Sequence, residues 1–215
     1  DLDFIDRVKV QQKNWIGRSE GLEFGFEVPS LHKKLNVYTT RPDTIYGVTF
    51  VVIPPEHPMV EELLKDNPRK AELEAFCDKV KNTSDIERTS SESEKLGMYT
   101  GVDCIHPLTG EKVQIWITNY VLVDYGTGAV MGVPTGDHRD WLFATKYGIK
   151  KILTLQPKDK ELKLEEMTDA YEEKDGVLVN AGPFTGMEMH KAMKAIIDYM
   201  EEKGLGKRRI NYRLR

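Results

Sequence analysis

With 215 residues, 40% of them hydrophobic, the chain is long enough for one large domain or two small ones and apolar enough to close a core. Its 31 Lys and Arg against 35 Asp and Glu give a formal charge of −4, which excludes a surface cationic throughout and confines any nucleic-acid contact to a local patch. Two cysteines are too few for a disulfide framework and lack paired zinc spacing, so a reduced compartment is expected; no apolar run reaches roughly 18 residues, and the acidic opening DLDFIDRVK lacks signal-peptide form.

In chain order, Phe4, Ile5, Val8 and Trp15 sit loosely at helical spacing and predict an opening helix. Leu22, Phe24, Phe26 and Val28 alternate with polar or small residues, the pattern of a half-buried strand. LNVYTTR and GVTFVVI follow as further strands, then PMVEELLKD and RKAELEAFCDKV as short helices, with Pro58 tolerated in a first turn. The Ser- and Glu-rich stretch KNTSDIERTSSESEKLG predicts an exposed, mobile connection. KVQIWIT and NYVLVDY are β-rich, GTGAVMGVP reads as a strand with close backbone approach, and a helix is expected within TGDHRDWLFATKYG. KDKELKLEEMTDAYEEKDG is a charged, solvated face or arm. Met189, Ala192, Met193, Ile196, Ile197 and Met200 fall on one helical face, which reads as a core-facing stripe rather than a partner-binding one.

A handful of strands without regular βα alternation predicts an α+β fold, with a curved or barrel-like β core and peripheral helices. We expect a single domain over 1–215, with 1–20 and 205–215 as linker ends to another body. The missing initial Met and the strand-like run RRINYRLR at the other end lead to the same expectation of a piece of a longer chain.

The chemistry is first defined by what is missing. There is no G-x-S-x-G elbow, P-loop, H-E-x-x-H pair or Rossmann glycine pattern, and GTGAVMG lacks the helix start that a phosphate cradle needs. Among five scattered histidines only His138 has candidate neighbours, Asp137 and Arg139. Asp137 and Asp140 open the expected helix, where a first-turn acid gains about 0.3–1 kcal/mol from the helix dipole without further function. The alternative is that one carboxylate faces a cleft and holds a ligand's ammonium group by a charge-assisted hydrogen bond. The stretch TTRPDT, residues 39–44, also leaves two readings open. It is a strand end followed by a turn set by Pro42 and Asp43, or a polar pocket wall whose hydroxyls position a water while Arg41 offers a fork for carboxylate or phosphate.

Seven collinear pieces, NWIGRSEG, YTTRPDTIYG, HPLTG, NYVLVDYGTGAVMGVP, the D-x-R-D of 137–140, LVNAGPFTGM and NYRLR, resemble the editing domain inserted into leucyl-tRNA synthetases, in its bacterial or organellar form. The resemblance spans almost the whole chain and implies hydrolysis of the ester of misacylated tRNA(Leu), such as isoleucyl- or norvalyl-tRNA, with Leu-tRNA(Leu) spared. It implies a positioned water and no covalent intermediate. By its motifs, Asp140 binds the α-ammonium of the aminoacyl group, Thr39 and Thr40 stand beside the ester as the other catalytic candidates, and Thr44 blocks the leucine side chain. Tyr125, Met131 and Val133 line the same pocket, and Arg41, Asp137, His138 and Arg139 are further binding candidates. Thr135-Gly136 departs from the pattern, which has Gly-His there.

The implied partners are the 3′ end of aminoacylated tRNA(Leu) and the remainder of a synthetase, with no membrane, in the cytoplasm or an organellar matrix. No cofactor or metal is implied for editing. ATP and Mg belong to the synthetic domain, whose HIGH and KMSKS signatures are absent from this chain. The competing readings are a valyl- or isoleucyl-type editing domain and a non-catalytic RNA-binding module.

Overall fold

A computed structural model describes Val8 and residues 16–90, 93–123 and 127–214; the expected opening helix falls almost wholly outside them. The fold is α+β, with a seven-stranded sheet and a separate two-stranded one. The first strand, β1 (Ile16–Val28), is long enough to serve three neighbours, meeting one of them only where Glu27 pairs with Ile105. Its Leu22–Val28 half pairs antiparallel with β2 (Lys33–Thr39), and its Ile16–Phe24 half pairs antiparallel with β9 (Gly206–Leu214). Leu22, Phe24, Phe26 and Val28 are all at most 3% exposed, so the predicted alternation sets the buried face. Of the stretches expected as linker ends, residues 16–20 and 206–214 lie in the β1–β9 ladder.

β3 (Phe50–Ile53) runs parallel to β5 (Lys112–Thr118) and antiparallel to β6 (Val130–Gly132). All four β3 side chains are fully buried, because the strand is covered on both faces. Phe50 and Val52 join Trp116, Tyr120 and Phe143 on one side, while Val51 and Ile53 join the main core on the other. The first side is roofed by helix α4 (His138–Tyr147), whose Phe143 ring stacks on Phe50 with centroids 5.2 Å apart. Helices α1 (Met59–Leu64), α2 (Lys70–Lys81) and α5 (Met189–Glu202) contribute to the main core. The α5 stripe holds as expected, with Met189, Ala192, Ile196, Ile197 and Met200 buried.

The sheet does not close into a barrel: its path runs β2-β1-β4-β5-β3-β6. The segment that leads into β6 is tied to β2 by a side chain, Thr127 Oγ1 donating to Asn36 O at 2.6 Å. β4 (Gly97–Ile105), absent from the sequence reading, shows no clean alternation of burial and shifts register against β5 between Tyr99 and Asp103. Gly101, at φ 78°, sits within that irregularity. The 119–123 part of NYVLVDY forms no strand, since Arg88 takes the carbonyls of Asn119 and Val121 at 3.1 and 3.0 Å. Arg88 comes from helix α3 (Asp85–Thr89), so the stretch expected to be exposed and mobile carries a short capped helix and a side chain only 3% exposed. The charged stretch 158–176 is mainly exposed and is closed at its base by β7 (Leu155–Gln156) pairing with β8 (Val177–Leu178). Among the described residues no helix is long and apolar enough to cross a membrane.

β6 can lie against β3 because Gly132 faces Phe50: a Cβ there would meet the Phe50 ring at 2.4 Å. Gly132→Ala is expected to lower stability by about 1–3 kcal/mol, as overpacking of a closed core does. Urea unfolding of the variant checks this, and an unchanged midpoint would refute the close approach.

Candidate functional site

TTRPDT ends β2 and begins a 3-10 turn, Pro42–Gly47. Its polar groups largely satisfy one another. Thr39 Oγ1 accepts from Arg41 N at 2.9 Å, and Thr44 donates through Oγ1 to Arg41 O at 2.8 Å. The Arg41 fork, read from sequence as a ligand holder, is already engaged along one edge, with Nε and Nη2 donating to Asp43 at 3.0 and 2.9 Å. Asp43 is 1% exposed, so this carboxylate locks the arginine as well as shaping the turn.

On the facing wall, β6 leads through Met131 and Val133 into a tight turn, where Gly136 N and Asp137 N both donate to Val133 O. Asp137 is the N-cap of α4, accepting from the backbone N–H of Arg139 at 2.9 Å and of Asp140 at 3.2 Å. That assigns capping to Asp137 and leaves Asp140 facing inward. Asp140 Oδ2 accepts from Val133 N at 2.8 Å, and Oδ1 accepts from the Tyr120 hydroxyl at 3.4 Å. Burial, with the nearby Asp137 charge second, lifts the Asp140 carboxyl to about 7 despite those donors. Burial and the same carboxylate push the Tyr120 phenol well above its ordinary value.

These walls enclose a cavity of about 370 Å³. Thr39, Thr40, Arg41 and Thr44 line it from one side, and Met131, Val133, Asp137, Arg139 and Asp140 from the other. Residues almost a hundred positions apart in sequence thus meet around one space. Tyr125 lies outside the described residues. His138 is not on the cavity wall: its exposed ring places Nδ1 2.7 Å from Asp169, while its backbone N–H donates to Glu172. Those acids belong to the charged stretch 158–176, which therefore lies against the first turn of α4. The Asp169 carboxyl is held below its ordinary value by the His138 contact.

Sequence reasoning missed Tyr38, Tyr120, Val121, Leu122, Val130 and Gly136 on the cavity wall. Reading NYVLVDY as a strand hid Tyr120, although an aromatic hydroxyl beside an irregular segment was the available signal. Gly136 stands where the resemblance leads to histidine, and a Cβ there would lie 3.5 Å from both Thr44 Cγ2 and Val133 Cγ1. Glycine keeps that part of the cavity open. No group of three or more His, Cys, Asp or Glu among the described residues is arranged to hold a metal.

The family model described as leucyl-tRNA synthetase, editing domain, matches residues 13–201. The chain belongs to the leucyl-tRNA synthetase editing-domain family. It is 50% identical over 214 residues to the leucine–tRNA ligase of Symbiobacterium thermophilum, covering 98% of this chain and 25% of that one. To the leucine–tRNA ligase of Thermotoga maritima it is 47% identical over 219 residues, covering 100% of this chain and 26% of that one. The chain thus spans about a quarter of the length of these curated relatives. Among solved structures it resembles the Agrobacterium radiobacter K84 agnB2 LeuRS in its ternary complex with tRNA and LeuAMS, at 30% identity and a TM-score of 0.68, over 98% of this chain and 22% of that one. The leucyl rather than the valyl or isoleucyl reading is the one these matches uphold.

A carboxyl lifted from 3.8 to about 7 binds its proton more tightly in the folded than in the unfolded chain, so its contribution to stability is full at low pH and falls as pH rises across that window. Asp140→Asn removes this titration. The variant is expected to gain on the parent from about pH 4 to about pH 7 and to keep the gain above it. Urea unfolding across that range checks the sign; a difference independent of pH would contradict it.

Proposed function

We propose that the cavity performs post-transfer editing: it hydrolyses the ester of misacylated tRNA(Leu), such as isoleucyl- or norvalyl-tRNA(Leu), and spares Leu-tRNA(Leu). The observation that carries this reading is the meeting of the TTRPDT wall and the Asp140 carboxylate around one small, partly apolar space. Asp140 is buried and oriented by Val133 N, so its remaining acceptor capacity is fixed in direction and suits a single ammonium group. An incoming ammonium favours the ionised carboxylate and offsets the effect of burial.

The aminoacyl ester is an activated acyl group, so a positioned water suffices. Water adds to the carbonyl carbon, the C–O bond to the terminal ribose breaks, and the ribose hydroxyl leaves with a proton. Thr39 already accepts from Arg41 N, which leaves its own proton to donate, while exposed Thr40 stands at the mouth. In this reading either hydroxyl orients the water, no covalent intermediate forms, and no metal or cofactor takes part. The Thr44 hydroxyl is committed to Arg41 O, and its methyl faces the Gly136 backbone beside Val133. Thr44 therefore acts by size, closing the space that the γ-branched leucine side chain needs.

The partners in this proposal are the 3′ end of aminoacylated tRNA(Leu) and the rest of a leucine–tRNA ligase, in the cytoplasm or an organellar matrix. The unit is the single domain 1–215, joined through 1–20 and 205–215.

Deacylation assays on charged tRNA(Leu) test both roles. Asp140→Ala is expected to reduce hydrolysis of Ile-tRNA(Leu) by about a hundredfold or more, the scale of losing one oriented polar contact in a closed site. Unchanged hydrolysis would remove Asp140 from the mechanism. Thr44→Ala is expected to raise hydrolysis of Leu-tRNA(Leu) at least about tenfold, the scale of one methylene-sized difference in a pocket. Continued protection of the correct product would end the size-exclusion argument.

A further inference from the structure

Arg88 is the most thoroughly buried cation of the described chain that the proposed reaction does not use, at 3% exposure on a helix of five residues. Its guanidinium is met on every side. Nη1 and Nη2 donate to Glu56 at 2.9 and 3.3 Å, Nε donates to Asn119 O at 3.1 Å, and Nη2 donates to Val121 O at 3.0 Å. Asp85 stands at 3.6 Å as a second, more exposed carboxylate. Burying a guanidinium is costly unless its fork is matched, and here one edge meets a carboxylate while the rest meets two main-chain carbonyls.

Those two carbonyls flank Tyr120. Asn119 is also tied to Leu96 and Glu94, but the Val121 carbonyl is reached by Arg88. Tyr120 sends its hydroxyl to Asp140 Oδ1, and Val121 and Leu122 line the cavity itself. The segment lies in no strand, so no ladder fixes it at this point; a planar fork spanning two carbonyls takes that place.

We infer that Arg88, anchored by Glu56, is a positioning residue for the editing site, holding residues 119–121 so that the Tyr120 hydroxyl reaches Asp140. The inference rests on the editing function proposed above and deepens it. Arg88 touches no substrate. Its effect passes through Tyr120 to the carboxylate, whose other charged neighbours are Asp137 and Arg139.

The test compares Arg88→Lys, Glu56→Gln and Tyr120→Phe, with Arg88→Lys also made in the Tyr120→Phe background. Lysine keeps the charge beside Glu56 but cannot span both carbonyls. On Ile-tRNA(Leu), Arg88→Lys is expected to lower kcat about tenfold or more with KM within about twofold, as misplacement of a reacting group does. Glu56→Gln should lower kcat in the same direction by less. In the Tyr120→Phe background Arg88→Lys should cost nothing further. A kcat within about twofold of the parent in both Arg88→Lys and Glu56→Gln overturns the inference, as does a loss that persists undiminished without the Tyr120 hydroxyl. Independently of activity, the Asp140 carboxyl carbon followed by NMR should titrate about half a unit higher in Arg88→Lys, because the ionised form loses a donor. An unmoved midpoint also overturns the inference. A parent chain that hydrolyses no ester would refute the editing function alone, leaving the titration to decide the role of Arg88. Should Arg88→Lys fail to fold, Glu56→Gln carries the same measurements.

Discussion

β3 is a strand of four residues with no solvent face, and most of the molecule is arranged to keep it dry. Phe50 and Val52 require a roof on one side, Val51 and Ile53 a floor on the other. The roof is α4, and the end strand β6 can lie beside β3 only because Gly132 yields its side-chain space to Phe50. The same short path from Val130 to Asp140 therefore seals the core and builds half of the cavity. Packing and chemistry share a backbone, and neither moves without the other.

The charged groups around the cavity divide into those that hold each other and those held in reserve. Arg41 and Asp43 neutralise one another beneath the threonine wall, and Asp137 serves the helix end. Asp140 alone among these carboxylates meets only neutral donors at close range, a backbone N–H and a phenol. A buried acid so treated keeps its proton more readily than a surface acid, and an arriving cation reverses that preference. In the proposed function, recognition of an ammonium would thereby be coupled to ionisation of Asp140.

Much of this was legible in the residues because the signals were local and periodic. The α5 stripe, the β1 alternation and the D-x-R-D helix start each encode a face or a cap within a few positions. TTRPDT was different, since spacing left both a strand end and a pocket wall open; in the fold the strand end is the pocket wall. What could not be read were interactions between distant segments. β4 hides because an irregular register against β5 blurs its pattern, and NYVLVDY misleads because its β-forming residues give two carbonyls to Arg88 instead of a neighbouring strand. Arg88 itself lies in a run of Ser and Glu whose composition signals solvent. His138 looked central from its neighbours, yet helical geometry turns it outward to Asp169 while Asp140, two residues on, turns in.

Ile16 and Leu214 are ladder partners, so the path into the fold and the path out of it run side by side. Partners in an antiparallel ladder lie about 5 Å apart, a gap that a surface loop of almost any host protein already spans. Topologically the described fold has both its outer strand ends on one side, so a single short span closes it without threading the chain through anything.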